Sequence, residues 1–463
     1  MIVGARRSHP QPGAPMSQAT PTEELPFHLT GNFAPVFDER TDFDLEIEGA
    51  IPPELQGRFF RNGSNPQSGS SPHWFMGNGM IHGVELRDGK AVWYRNRYVR
   101  TPLLEEPEAP HISADGSVDR TRSCANTHVI SHAGRFLALE EGSFPFEITK
   151  ELDTVGAYDF DGKLKTAMTA HPRICPETGE LLFFGYGAMP PYLTYYRVSA
   201  DGKLVQSEEI NVKGPTMMHD WNITRNHVIF MDLPMIFDLE AAAAGGMPIR
   251  WSDEYGARLG VMPREGGNDD VVWYDVDPCY VFHPMNAYED GDKIVIDSSR
   301  FEKLAFGPAD GKGTPSMLHR WTIDTANRSV AEEPLDDRPA DFPRVHDRVI
   351  GLKHRYGYMT GMGSGADTLG STLLKYDLES GKSWTHDLGK GRQAGEPVFA
   401  ASTSADSAED DGWILSFVYD AASDKSDLLI ADAGNFDAAP VARVKIPTRV
   451  PFGFHGSWIA DPA

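Results

Sequence analysis

From about Phe33 onward the chain repeats one kind of unit: a short β-branched or aromatic run, a Gly-containing polar turn, then another run. That is the pattern of hairpins. LTYYRVSADGKLVQSEEINV turns at Asp201-Gly202, NAYEDGDKIVIDSSRF at Gly291, and ILSFVYDAASDKSDLLIADA at Ser423 to Lys425, with further turns at Asp88-Gly89 and Asp161-Gly162. The signals recur from Val84 to Val444 without a long helical period or a low-complexity linker. A β-sandwich is exhausted well before 463 residues, whereas radial repetition of four-stranded blades absorbs the length. The expectation is therefore an all-β fold, a β-propeller, though the period is too irregular to count blades. Two segments interrupt the rhythm. Thr101 to Arg122 is a Pro- and acid-rich loop, and LEAAAAGGMP between Asp238 and Ile249 reads as a short helix ended by Gly245-Gly246. Both are predicted to leave the blades and roof an active site.

Charge and cysteine usage narrow the function classes. With 43 basic against 67 acidic residues the net charge is −24, which repels nucleic acid and anionic lipid. The three cysteines, Cys124, Cys175 and Cys279, form no CxxC pair and no even framework, so no structural disulfide and a reducing, cytoplasmic compartment are expected. Residues 1–28 read as a flexible leader, with Met16 as an alternative start, and 29–463 as one domain. No stretch approaches the roughly 18 apolar residues of a membrane span, so at most peripheral membrane contact is expected.

Of sixteen histidines, four stand out by context: His171 (TAHPR), His219 (MMHDW), His283 (VFHPMNA) and His455 (FGFHGSW). Each sits in or beside an apolar or aromatic run, and a buried neutral imidazole needs a partner for each ring nitrogen. Their separations of 48, 64 and 172 residues match no local metal motif. Only a closed fold that brings distant strands to one axis can unite them.

The ordered blocks GNFAPV, GRFFRNGSNP, GNGMIHG, YRNRYVRTP, TAHPR, MMHDW, MPREGGNDDVVWYDVDPCYVFHPMNAYEDGD, DDRPADFPRV, EPVF and FHGSW resemble the carotenoid cleavage oxygenase family from about Leu29 to Trp458. The resemblance implies a seven-bladed β-propeller carrying non-haem Fe(II), one per subunit, on His171, His219, His283 and His455. It also implies O2 as co-substrate, a small hydrophobic polyene as substrate, and cleavage of a conjugated C=C bond to two carbonyl products. Glu141, Asp341 and Glu396 then take the outer positions that orient ligating histidines. Asp341 departs from the family's usual Glu and is one methylene shorter, so an indirect or water-bridged reach is expected; Asn78 stands where relatives have Asp. Thr127 matches a position that narrows access to the metal. His82 reads as structural, and His128 and His132 as ordinary strand and turn residues.

Trp74, Phe75, Phe144, Phe146, Tyr192, Phe282 and Met285 suit either a substrate tunnel or a propeller core. Stilbene-cleaving relatives place a Lys where this chain has Glu140, and a carboxylate would repel a developing phenolate. A carotenoid or apocarotenoid is therefore the expected substrate. The alternatives are a stilbene- or phenylpropanoid-cleaving dioxygenase and a propeller that only binds a ligand. No ligand series resembles the oxygen-rich calcium sites of propeller hydrolases.

Overall fold

A computed structural model describes residues 25–462, apart from 115, 245–246, 307–311, 364–369 and 405–406. Seven antiparallel sheets of four or more strands form the blades of a β-propeller. In chain order the first blade spans residues 40–98, and the second to seventh span 128–157, 173–209, 222–276, 280–334, 340–387 and 392–446.

The third blade shows how sequence makes a blade. Its middle strands, Leu181–Tyr186 and Leu193–Val198, are nearly continuous apolar runs because neighbouring blades cover both their faces. The outer strand Leu204–Glu209 instead alternates, with every second residue exposed, because one face meets water. At the first-blade turn Asp88 and Gly89 adopt φ of 51° and 69°, the left-handed pair that matches hairpin twist. Between the third and fourth blades, Trp221 packs edge-on to Phe184 at 5.4 Å and stacks on Phe230 at 5.9 Å, fully buried. Truncating such an aromatic costs about 3–5 kcal/mol.

Two exchanges close the ring. The last strand, Gly456–Ala460, pairs with Gly57–Ser64 and becomes the innermost strand of the first blade. The early strand Ile47–Gly49 joins the outer edge of the seventh by pairing with Ala442–Ile446.

Both predicted interruptions leave the blades. Helix α1 (Pro102–Glu105) starts the first and is capped by Thr101. Helix α2 (Leu239–Ala243) lies between the paired strands Met235–Phe237 and Ile249–Trp251, and Asp238 caps it through the Ala241 N–H at 2.9 Å. The predicted stop at Gly245-Gly246 falls outside the described residues; the helix proper ends at Ala243. Most of the expected leader, residues 1–24, also lies outside them. Of the rest, Phe27 packs edge-on to Phe33 at 5.3 Å, and the His28 ring meets the Ser71 carbonyl at 3.0 Å. All three cysteines are free, and no described helix is long and apolar enough to cross a membrane.

Candidate metal centre and its cavity

The four singled-out histidines stand where inner strands begin. His171 leads into Arg173–Ile174, His219 into Asn222–Ile223 and His455 into Gly456–Ala460, while His283 lies within Tyr280–Asp290. Local sequence explains the placement. Proline follows His171 and His283, which holds each histidine in extended backbone. Around Pro284 the pairing with Lys293–Phe301 slips twice, because proline cannot donate to the ladder. Gly456 is needed for closeness, since a Cβ there would stand 2.9 Å from Val398.

The ligand-capable nitrogens of the four rings lie within 4.8 Å of one another, the cluster that four distant segments were expected to build. His219 Nδ1 is 2.7 Å from Glu141 Oε2, His283 Nδ1 is 2.9 Å from Asp341 Oδ1, and His455 Nδ1 is 3.0 Å from Glu396 Oε1. A carboxylate at Nδ1 fixes the proton there and leaves Nε2 with its lone pair. Yet His171 Nε2 and His219 Nε2 face each other at 2.9 Å. Two lone pairs at that distance repel unless a proton or a metal cation lies between them, so the donor set fits a bound metal ion.

Electrostatics divide the ligands whose titration is displaced. Burial, reinforced by the other three histidines, drives His171 well below its ordinary value. Burial likewise lowers His455 to about 4 against the pull of Glu396. Burial would also lower His219, but Glu141 outweighs it and raises the ring. Burial pushes Glu396 up, but Arg344 and His455 overcome it and hold the carboxyl down at about 2.

Asp341 reaches His283 directly. Phe342 turns with φ of 55° and the pairing slips between Asp341 and Arg344, so an irregular edge accompanies the shorter side chain. An indirect reach, the expectation from side-chain length, is not what the structure has. Thr127 lines the cavity beside the cluster; its hydroxyl donates to Asn126 Oδ1 at 2.8 Å, and its carbonyl accepts the His455 N–H at 3.0 Å.

Above the histidines lies a cavity of about 2140 Å³, roofed by the two excursions through Leu103, Ile112, Val118, Leu239 and Met247. The matches to known proteins decide the family. Residues 33–460 match the profile of RPE65, retinal pigment epithelial membrane protein. The chain is 39% identical to the carotenoid cleavage oxygenase of Mycobacterium tuberculosis, over 96% of its own length and 99% of that protein's. The chain belongs to the RPE65 family of carotenoid cleavage oxygenases. Among solved structures, lignostilbene dioxygenase of Pseudomonas brassicacearum superposes with a TM-score of 0.85 at 30% identity, covering 95% of this chain and 100% of that one. A variant of Synechocystis apocarotenoid oxygenase gives 0.82 at 27%, covering 93% and 98%.

In this carotenoid cleavage oxygenase the assembled blades decide which of the aromatic and Met residues, left open between tunnel and core, reach the cavity. Trp74, Phe75 and Phe282 line the cavity, but Phe146 and Met285 belong to inter-blade cores, Phe144 packs against another such core, and Tyr192 is not on the wall. Phe342, Phe452 and Phe454 were missed there. Glu140 lines the cavity but is turned to its own loop: Oε1 accepts the Gly142 N–H at 2.6 Å and Oε2 the Ser143 hydroxyl at 2.5 Å. It fastens the turn that carries Glu141. Asn78 closes another turn by accepting the Gln67 N–H at 3.1 Å. His82 bonds the Tyr94 hydroxyl at 2.9 Å. His128, expected to be ordinary, lies 5.4 Å from the His455 ring. Both its nitrogens are engaged, by the Ala170 carbonyl and the Ser457 hydroxyl, each at 3.0 Å, so it supports the cluster without an open lone pair.

Proposed function

We propose that the protein is a non-haem iron dioxygenase that cleaves one conjugated C=C bond of a carotenoid or apocarotenoid into two carbonyl products. The observation that carries this reading is a convergent set of four imidazoles, three of which line the floor of a largely apolar cavity. At about 2140 Å³ the cavity exceeds the 300–1,000 Å³ of ordinary small-molecule sites, which suits an elongated polyene. In this reading His171, His219, His283 and His455 hold the iron, and Glu141, Asp341 and Glu396 orient three of them. When bound, iron(II) supplies the redox chemistry that lets O2 react with an alkene.

The chain's own residues do the rest. Four neutral imidazoles leave the charge of the ion uncancelled, so the carboxylates behind them stabilise it. Phe282, Phe342, Phe452 and Phe454 give the polyene a water-poor wall and place one double bond above the histidines. Thr127 narrows the approach on one side. In the overall reaction one C=C bond and the O–O bond of O2 break, two C=O bonds form, and each carbonyl takes one of the two oxygen atoms.

The second reading, stilbene cleavage, draws on the lignostilbene dioxygenase superposition. Glu140 argues against it, because a carboxylate committed to Gly142 and Ser143 offers a phenolate no cation. The test incubates iron-loaded protein with an apocarotenal and, separately, with resveratrol, and identifies aldehydes by mass spectrometry. Apocarotenal fragments are expected. Efficient resveratrol cleavage without any apocarotenoid product overturns the reading.

A further inference from the structure

Three of the four imidazoles have a carboxylate at Nδ1 from a residue that the family resemblance marks. The fourth, His171, has one that it does not: Oδ2 of Asp220 lies 3.3 Å from His171 Nδ1. Asp220 is only 3% exposed, and its other oxygen is fully committed. Oδ1 accepts from the Arg173 guanidinium at 2.7 Å and from the Trp221 N–H at 2.6 Å. Those partners are tied back to His171. The Trp221 indole N–H donates to the His171 carbonyl at 3.0 Å, and Arg173 donates to the Trp221 carbonyl at 2.9 Å. The Thr169 hydroxyl adds a further link, accepting the His171 N–H at 3.1 Å and donating to the His219 carbonyl at 3.3 Å. The inner ends of the third and fourth blades are thus stitched together with His171 and Asp220 at the centre.

From this geometry we infer that Asp220 is the orienting carboxylate of His171, a positioning residue that keeps its proton on Nδ1 and its Nε2 lone pair on the metal, with Arg173 holding Asp220 in register. The inference rests on the iron-binding reading above. It makes the outer ring four-membered, and all seven blades then contribute: His455 from the first, Glu141 from the second, His171 from the third, His219 and Asp220 from the fourth, and His283, Asp341 and Glu396 from the fifth to seventh. The simpler alternative is that Asp220 only pairs with Arg173 to join two blades.

Asp220→Asn separates the two. In the variant the amide oxygen keeps the Arg173 and Trp221 donors, which turns the NH2 toward His171 Nδ1. That nitrogen must then accept, the proton moves to Nε2, and ligation is lost, the same tautomer logic by which an Asp-to-Asn change disables a catalytic histidine. The full-length protein is loaded with Co(II), and the probes are Co(II) affinity by chelator competition and the exchangeable, hyperfine-shifted imidazole N–H protons in proton NMR. Wild type should show four slowly exchanging N–H signals, one per ligand. Asp220→Asn should lose one and bind Co(II) about 10- to 100-fold more weakly, while the metal-free variant melts close to wild type. Arg173→Lys should keep all four signals.

Three signals in wild type, or four signals with unchanged Co(II) affinity in Asp220→Asn, overturn the inference. A fall in metal-free melting temperature alone assigns Asp220 to blade packing and also overturns it. Failure of the wild type to take up Co(II) on imidazoles instead defeats the iron-binding reading itself, and this inference with it. If Asp220→Asn does not fold, Asp220→Glu carries the same test: the carboxylate should restore the fourth signal.

Discussion

The two sides of the histidine cluster are built differently. On the cavity side, His219, His283 and His455 line the wall, and Glu141 and Asp341 stand on that wall with them. On the inner side, His171 lies outside the lining and is 5% exposed, pinned between strands of two blades by Trp221, Thr169 and the Asp220–Arg173 pair. The carboxylates differ in the same sense. Asp220 has Arg173 at 2.7 Å and the buried Glu396 has Arg344 at 3.5 Å, whereas the partner beside Glu141 is the Tyr186 phenol, which burial and that carboxylate hold well above its ordinary value. The two carboxylates on the wall, Glu141 and Asp341, thus have no arginine partner among the described residues, and their charge would be free to balance a bound cation. The inner side neutralises its own charge and supplies rigidity.

The largest effect should come from removing a ligand on either side. His283→Ala and His171→Ala should each lose most of the iron and nearly all activity, checked by metal analysis and aldehyde formation. If His283→Ala keeps stoichiometric iron and wild-type turnover, the cluster is not the metal site.

Next come the carboxylates. Glu141→Gln and Glu396→Gln should each weaken iron binding or activity by about 10- to 100-fold, read from chelator competition and kcat/KM. Asp341→Glu should cost less than either, since it restores a carboxylate of the family's usual length. Unchanged affinity and rate in both Gln variants would remove the orienting role.

A subtler difference is in protons. Because Glu141 raises His219, that ring carries a proton in the metal-free protein at pH values below its raised pKa, and metal must displace it. His171 and His455 are depressed, the latter to about 4, and are already neutral at pH 7. Metal affinity should therefore fall as pH drops below the raised His219 value, with about one proton released per ion. Calorimetry in two buffers of different ionisation enthalpy measures this. Glu141→Gln removes the strongest of the groups that raise His219 and leaves burial opposed only by the weaker pull of Asp220 and Asp341, so the release should shrink.

The smallest expected effect lies at the rim. Ile112, Val118, Met189 and Leu239 are exposed apolar residues around the cavity. Weak co-sedimentation with neutral lipid vesicles is expected, and the double change Ile112→Ser with Met189→Ser should reduce it further. Quantitative sedimentation of wild type at physiological salt would contradict the expectation of weak contact.

What could be read in advance followed from locality. Hairpins were legible because alternation and a glycine turn lie within a dozen residues, as at Asp88-Gly89. The hairpins alone did not give the blade count, which only the family resemblance implied, because closure depends on Gly456–Ala460 pairing with Gly57–Ser64 across nearly the whole chain. The four histidines were legible from their apolar settings. Asp220 was not, because it looks like a mere neighbour of His219, while its partner His171 belongs to a different blade. Aromatic residues were half legible: Phe282 and Phe146 sit in similar runs, and only the assembled blades put one on the cavity and the other in a core.

The exchange that closes the first blade ties ring closure to the histidine cluster. His455 immediately precedes Gly456–Ala460, and the pairing of that strand with Gly57–Ser64 is what carries its imidazole to the other three. Sealing the edge of the first blade and completing the set of four imidazoles are therefore one structural event, and a chain cut before this strand would leave the edge at Gly57–Ser64 unpaired and the cluster one imidazole short.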